Sequence, residues 1–149
     1  MANLFGDVRA AYSLRRYWSD FWHRLTYRTY VGVAKAAADV TGLVPRGSIA
    51  YRAWVNLAVF FCSGSLHVLS VRNMGFRCGY MEELHWYLLN FGAVMGECFV
   101  LWLAEGRVPQ GKASGRVYRA LGYFWVFSFQ FWSLPYLYFP KVLCFPLNR

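Results

Sequence analysis

Charge is what this chain has least of. Asp, Glu, Lys and Arg together supply only 15% of its 149 residues, while hydrophobic residues supply 58% and aromatics 21%. That leaves too little polar surface to cover a water-soluble globule of this size, so the expected solvent is lipid. Metal-ligand spacing is lacking as well: Cys62, Cys78, Cys98 and Cys144 stand far apart and form neither a CxxC nor a zinc-finger pattern. No metal site is expected, and the three that lie in or beside apolar stretches are expected to pack as small hydrophobes. The amino-terminal stretch MANLFGDVRAAYSLRRYW has no short apolar core followed by a cleavage site, so insertion is expected to rely on internal helices and not on a signal peptide. There is no internal repeat and no low-complexity tract.

What charge there is carries one sign. Sixteen Lys and Arg against seven Asp and Glu give a formal net charge of +9. A nucleic-acid binder would gather such residues on a soluble face. Here they flank apolar runs, which excludes nucleic acid as the expected partner and suits the anionic surface of a cytoplasmic leaflet, or an anionic co-substrate rich in phosphate.

Three apolar runs are expected to be membrane-spanning helices. The first, Ala53 to Val71, has no formally charged side chain over 19 residues, and as a helix it would be about 28 Å long, close to the thickness of a hydrocarbon core. His67 lies two-thirds of the way along it. An imidazole is costly in lipid, so it is expected to face protein or a wet cavity and to serve a function. Ser63, Gly64 and Ser65 precede it, small enough to let a helix or substrate approach the backbone on the same side. The second run, Leu84 to Ala104, carries Gly92 and Gly96 at the spacing for backbone-to-backbone helix contact. It also carries Glu97, expected to be paired with His85, Asn90 or His67 or to make a structural hydrogen bond. The third, Ala120 to Pro140, is uncharged and aromatic, and Pro135 is expected to bend or end it early.

Ahead of these runs, Leu14, Trp18, Phe21, Trp22 and Leu25 recur at helical spacing with Arg15, Arg16, Arg24 and Arg28 among them. The pattern predicts a basic amphipathic helix over Ala11 to Lys35, started by a Ser13 cap and lying in the membrane interface. A loop with Gly42, Pro45 and Gly47 follows. The expected fold class is therefore an all-α membrane protein with about three transmembrane helices after one interfacial helix. Of the basic residues, eight lie at or before Arg52, two between the first and second runs, four between the second and third, and two beyond. That alternation places the amino-terminal segment and the second connection in the cytoplasm.

Composition alone leaves His67 open to proton transfer, ion conduction or structural hydrogen bonding. A second landmark narrows the choice. Ser13-Leu14-Arg15-Arg16-Tyr17-Trp18-Ser19-Asp20-Phe21-Trp22-His23 resembles the S-L-x-x-F-W-x-x-x-W-H stretch of wax-synthase-like proteins in the membrane-bound O-acyltransferase superfamily, with Tyr17 replacing Phe. It is also similar to the F-Y-x-D-W-W-N element of the sterol and diacylglycerol acyltransferases, with Tyr17, Trp18, Asp20, Phe21 and Trp22 in matching places. His23 departs from the Asn of that branch and favours the wax-synthase side. Phe60 to His67 then matches the F-x-x-S-G-x-x-H helix that carries the family's catalytic histidine. The resemblance covers about residues 12 to 142 and is closest to fungal proteins, several of which acylate hydroxyls of terpenoids.

The resemblance implies that His67 is the catalytic base, and that Trp18, Asp20, Trp22 and His23, with Arg15 and Arg16, bind acyl-CoA. Acyl-CoA would be a co-substrate, with no tightly bound cofactor, and the acceptor a lipophilic alcohol such as a terpenoid or long-chain alcohol. It implies further a multi-pass protein of the endoplasmic reticulum in contact with membrane lipid. Family members have about eight or more membrane helices, so this chain is expected to match the carboxyl-terminal three, as a fragment, a truncated gene product, or a short protein with a protein partner supplying the others. A truncated, non-catalytic membrane protein that keeps the fold is the alternative, and a small transporter using His67 and Glu97 a third reading.

Overall fold

The computed structural model describes residues 5–22, 24–42, 44–76, 78–104 and 112–144. Among them there is no strand. The helices are α1 (Leu14–Arg16), α2 (Arg24–Thr41), α3 (Ile49–Asn73), α4 (Met81–Ala104) and α5 (Lys112–Cys144), with a 3-10 turn at Val8–Ala10 and a π turn at Tyr17–Phe21. This is an all-α membrane protein. Helices α3 and α4 are long and apolar enough to cross a bilayer. The 33-residue α5, expected to hold a third span, is long enough but less apolar, because Trp, Tyr, Ser and Gln break up its phenylalanines.

Local chemistry accounts for the helix ends. Ser48 caps α3, its hydroxyl accepting from the Tyr51 N–H at 3.0 Å, and Gly75 at φ 91° follows the last turn. Glu82 and Glu83 occupy the first turn of α4, where the helix dipole favours negative charge. Helix α5 does not end at Pro135: it runs through both Pro135 and Pro140 to Cys144. A proline costs a membrane helix less than a soluble one, because side chains and neighbouring helices can satisfy the freed carbonyl. The outward side of α5 is greasy, with Phe124, Phe127 and Phe131 exposed by 72–83%. Such a surface fits lipid and not water.

The predicted helix over Ala11 to Lys35 is interrupted. Ser13 does cap α1, accepting from the Arg16 N–H at 3.2 Å. The chain then widens into the π turn, in which the Trp22 N–H reaches the Tyr17 carbonyl at 2.7 Å, and Trp22 itself is extended. The Phe21 carbonyl accepts instead from the Gly6 N–H at 2.8 Å, a bond that takes the place of the helical one. A β-carbon at Gly6 would run into the Asp20 carbonyl, so only glycine permits this approach.

The chain divides into two compact units. The first, Met1–Tyr27 with Gly92–Phe131, docks the amino-terminal turns on α4 and α5. Leu14 is fully buried in it, Tyr123 donates its hydroxyl to the Arg9 carbonyl at 2.8 Å, and the Tyr12 carbonyl lies against Gly122 where no β-carbon would fit. The Tyr12 ring is flanked by the guanidiniums of Arg16 at 4.8 Å and Arg119 at 5.4 Å.

The second unit is Arg28–Phe91 with Trp132–Arg149. In it the Trp86 indole donates to the Ser133 hydroxyl at 3.1 Å, Asn90 is fully buried and donates to the Trp86 carbonyl at 2.9 Å, and Phe60 meets Phe91 at 6.3 Å between ring centres. The loop before α3 is closed by Asp39, which accepts from Arg46 at 2.8 Å and from the Tyr51 hydroxyl at 3.0 Å. The Arg46 hydrogen bond holds the Asp39 carboxyl below its ordinary value. Cys62 and Cys98, in apolar stretches, are free, while Cys78, in the connection between α3 and α4, is in a disulfide.

Candidate functional site

Val55, Val59, Phe60 and Gly64 form the buried face of α3. Gly64 is where α4 comes closest: a β-carbon there would stand 3.0 Å from Leu84 Cδ1 and 3.1 Å from both Leu84 Cα and Tyr87 Cβ. Small residues in the turn before the histidine thus do what their size predicts, admitting another helix to the backbone. His67 follows Gly64 by three residues, so it emerges on the same side of α3. It lies six residues before the end of the helix, about 9 Å along the axis.

The imidazole leans on α4. Its ring centre is 5.0 Å from that of Tyr87, the planes tilted by 34°, and its Nδ1 faces Glu83 Oε2 at 3.9 Å. The other side of the ring is open, 55% of the side chain being exposed. The carboxylate it faces is buried and forms an ion pair with Lys141 of α5. Lys141 in turn is mostly buried, with its ammonium 5.4 Å from the centre of the Tyr138 ring. Close approach again depends on glycine, since Gly79, at φ 70°, lies against the backbone of Pro140 and Lys141.

Glu83 and Lys141 were not singled out from the sequence. Glu83 falls just outside the apolar run that begins at Leu84, and Lys141 just beyond the one that ends at Pro140. The available signal was an acidic pair, Glu82 and Glu83, opening a helix otherwise poor in charge.

The residues expected to bind acyl-CoA belong to the first unit, as His67 belongs to the second. Arg15 is exposed. Arg16 reaches Asp20 at 3.8 Å besides covering Tyr12, and Asp20 accepts from the Ser19 hydroxyl at 3.0 Å. Around the π turn the aromatic rings pack on one another: Tyr17 stacks on Trp22 at 5.8 Å, and Trp18 meets Tyr17 at 5.4 Å and Trp22 at 6.4 Å, both edge-on. Burial pushes the Tyr17 phenol up to about 12. His23 lies outside the described residues, as does the Arg24 side chain.

Glu97 has partners other than those expected. Its carboxylate accepts from the backbone N–H groups of Leu14 at 2.7 Å and Arg15 at 3.3 Å and from the Trp125 indole at 3.0 Å, in place of His85, Asn90 or His67. It closes the open start of α1, a structural task. Gly92 and Gly96 meet nothing within 4 Å, so the helix contact their spacing allows is not made among the described residues.

A family model described as "Membrane bound O-acyl transferase family" matches residues 1–89, a stretch that includes both the aromatic turn and His67. The chain belongs to this family. The match is to the family at large and does not single out its wax-synthase branch. Among curated proteins the chain is 29% identical over 140 residues to the acetyltransferase ataH of Aspergillus terreus, covering 92% of this chain and 45% of that one. It is 33% identical over 137 residues to the acetyltransferase ple2 of Rhodocybe pseudopiperita, covering 89% and 34%. To the O-Mevalon transferase macI of Penicillium terrestre it is 28% identical over 142 residues, covering 87% and 32%. The chain thus spans between a third and a half of the length of these relatives. No solved structure matches this family member.

Proposed function

We propose that the protein is, or forms part of, an O-acyltransferase that moves an acetyl or longer acyl group from acyl-CoA to the hydroxyl of a lipophilic alcohol, with His67 as general base. The observation that carries this reading is the placement of His67: an imidazole on an apolar helix, backed by Tyr87 and Glu83 on one side and open on the other. Membership of the acyltransferase family and the acetyltransferase names of its relatives support the reaction class.

An alcohol is a poor nucleophile toward a thioester until a positioned base takes its proton, a contribution of about 10² to 10⁴ in rate. With Nδ1 turned toward Glu83, Nε2 is the nitrogen free to act. The acceptor hydroxyl gives its proton to Nε2 as its oxygen bonds to the thioester carbonyl carbon. The tetrahedral adduct then collapses, the C–S bond breaks, and the same proton passes from His67 to the leaving thiolate. Ester and free CoA thiol depart and His67 is unchanged. A base within the apolar layer also suits a greasy acceptor arriving from lipid and limits hydrolysis of the donor.

For the donor we assign Arg15, Arg16, Trp18, Asp20, Trp22 and His23, the guanidiniums for phosphate and the rings for the acyl chain and pantetheine. The motif resemblance and the closeness of the described members, which lie on α1, on the π turn and just after it, support this. The acceptor class is a hydroxylated terpenoid or long-chain alcohol, and the wax-synthase branch is the finer family assignment. We place the protein in the endoplasmic reticulum with its amino-terminal segment cytosolic. The Cys78 disulfide supports that orientation, because disulfides persist in oxidising compartments and the turn between α3 and α4 would then face the lumen.

The test is transfer of labelled acetyl and longer acyl groups from CoA to a panel of hydroxylated terpenoids and fatty alcohols, by microsomes carrying the protein. Ester formation that disappears with His67→Ala is the expected result. Full activity in that variant would remove His67 from the reaction. Stable membrane insertion with no acyl-CoA binding would make the chain a non-catalytic partner instead.

A further inference from the structure

We infer that Glu83 is a positioning residue for His67, and that Lys141 is the group that compensates the charge of Glu83 and holds it in place. The inference rests on the proposed role of His67 and assigns its partners. Four observations carry it. Glu83 is buried, so its charge must be compensated, and Lys141, also mostly buried, pairs with it directly. The carboxylate's second oxygen, Oε2, faces His67 Nδ1 at 3.9 Å while Oε1 meets Lys141, so the one carboxylate is shared by two cations-to-be on α3 and α5. Tyr87, one turn further along α4, backs the imidazole and limits its rotation. At Gly64 and Gly79, each within about one turn of the group, a β-carbon would stand only 3.0–3.1 Å from its neighbours, backbone among them, so α4 lies tight against α3 at the one and the turn before α4 lies tight against α5 at the other.

The separation of 3.9 Å is longer than a hydrogen bond. Catalytic hydrogen bonds are often long before substrate binds and tighten as charge develops. When His67 takes the acceptor's proton it becomes a cation, and a carboxylate facing Nδ1 favours that cation and fixes which nitrogen meets the alcohol. No proton needs to reach Glu83. Lys141 has a separate duty, since its ammonium compensates the buried carboxylate and holds Oε1, which leaves Oε2 turned to the imidazole.

Removing Glu83 alone leaves the Lys141 ammonium buried without its partner, so Glu83→Gln is paired with the double variant Glu83→Gln/Lys141→Met, which removes both charges and keeps the volume. The assay is acyl transfer by microsomes carrying the chain, with insertion checked by membrane extraction. The expected result for the double variant is normal insertion, a KM for acyl-CoA unchanged within about threefold, and a kcat lowered about 10- to 100-fold, the effect of losing the partner that orients an imidazole. In a His67→Ala background the same changes should cost nothing further. A double variant with wild-type kcat, alongside an inactive His67→Ala, overturns the positioning role and leaves the base assignment standing. An active His67→Ala overturns the base assignment itself. Glu83→Asp, which keeps the charge, should recover part of kcat, and recovery by Glu83→Gln instead would show that only the shape of the side chain matters.

Discussion

Gly64 on α3 and Leu84 on α4 stand so close that a β-carbon added to the glycine would lie 3.1 Å from the leucine's α-carbon. The obstacle is backbone, which cannot swing aside as a side-chain tip can. Everything that gives His67 its surroundings sits within one turn of this crossing.

Gly64→Ala should therefore push α3 and α4 apart, at a cost of about 1–3 kcal/mol, the usual range for overpacking. Acyl transfer should fall with it, as His67 moves away from Tyr87 and Glu83. Gly92→Ala and Gly96→Ala, which meet nothing within 4 Å, should leave the unfolding temperature unchanged or raise it, since alanine is the better helix former. Thermal unfolding in detergent, run beside the acyl-transfer assay, separates the three. Equal behaviour at all three glycines would count against the crossing.

Glu97→Ala should loosen the amino-terminal turns and spare the second unit. The carboxylate serves two backbone N–H groups and one indole, and withdrawing an acceptor from partly buried donors costs about 1–3 kcal/mol. Limited proteolysis should then cut within residues 5–22 faster than in the wild type. Gly122→Ala, whose β-carbon would strike the Tyr12 carbonyl, should have the same effect from the other side.

Tyr17 should ionise late. Its folded-state value is raised from 10.0 to about 12 by burial, so the neutral form is favoured in the fold. The stability this represents is fully present below pH 10 and is lost as the pH rises through about 12. Ultraviolet titration should show a late phenolate step that Tyr17→Phe removes, and the variant should hold the aromatic turn together at higher pH than the wild type. Ionisation near pH 10 would mean that the phenol is open to water.

Ser133→Ala takes away the acceptor of the Trp86 indole at the buried contact of α4 with α5. Loss of about 1–3 kcal/mol is expected, with a red-shifted Trp86 emission if water enters. An unchanged unfolding temperature would show that this bond contributes little.

Much of this molecule was legible in order along the chain, and the exceptions have physical causes. Ser13 was read as a cap and is one, because a cap is chemistry between neighbours. The helix expected to continue from it breaks at Trp22, because Gly6, distant in helical register, supplies the bond that would have carried it on. Pro135 is expected to bend or end its helix, and α5 does not end there but runs on to Cys144. Glu97 is marked by the sequence as needing partners, and it makes structural hydrogen bonds, one of the two expectations, but to donors 28, 82 and 83 residues away in place of His85, Asn90 or His67.

By itself the sequence determined the solvent and the apolar helices, and it singled out one imidazole among them. Hydropathy and helix capping act over one or two turns, and His67 in an apolar run marks itself by the cost of placing it there. Only the tertiary structure decided which carboxylate faces that imidazole. Glu83 and Lys141 are 58 residues apart, on helices whose register is set by glycine contacts, and no local pattern records a meeting between side chains brought together by packing.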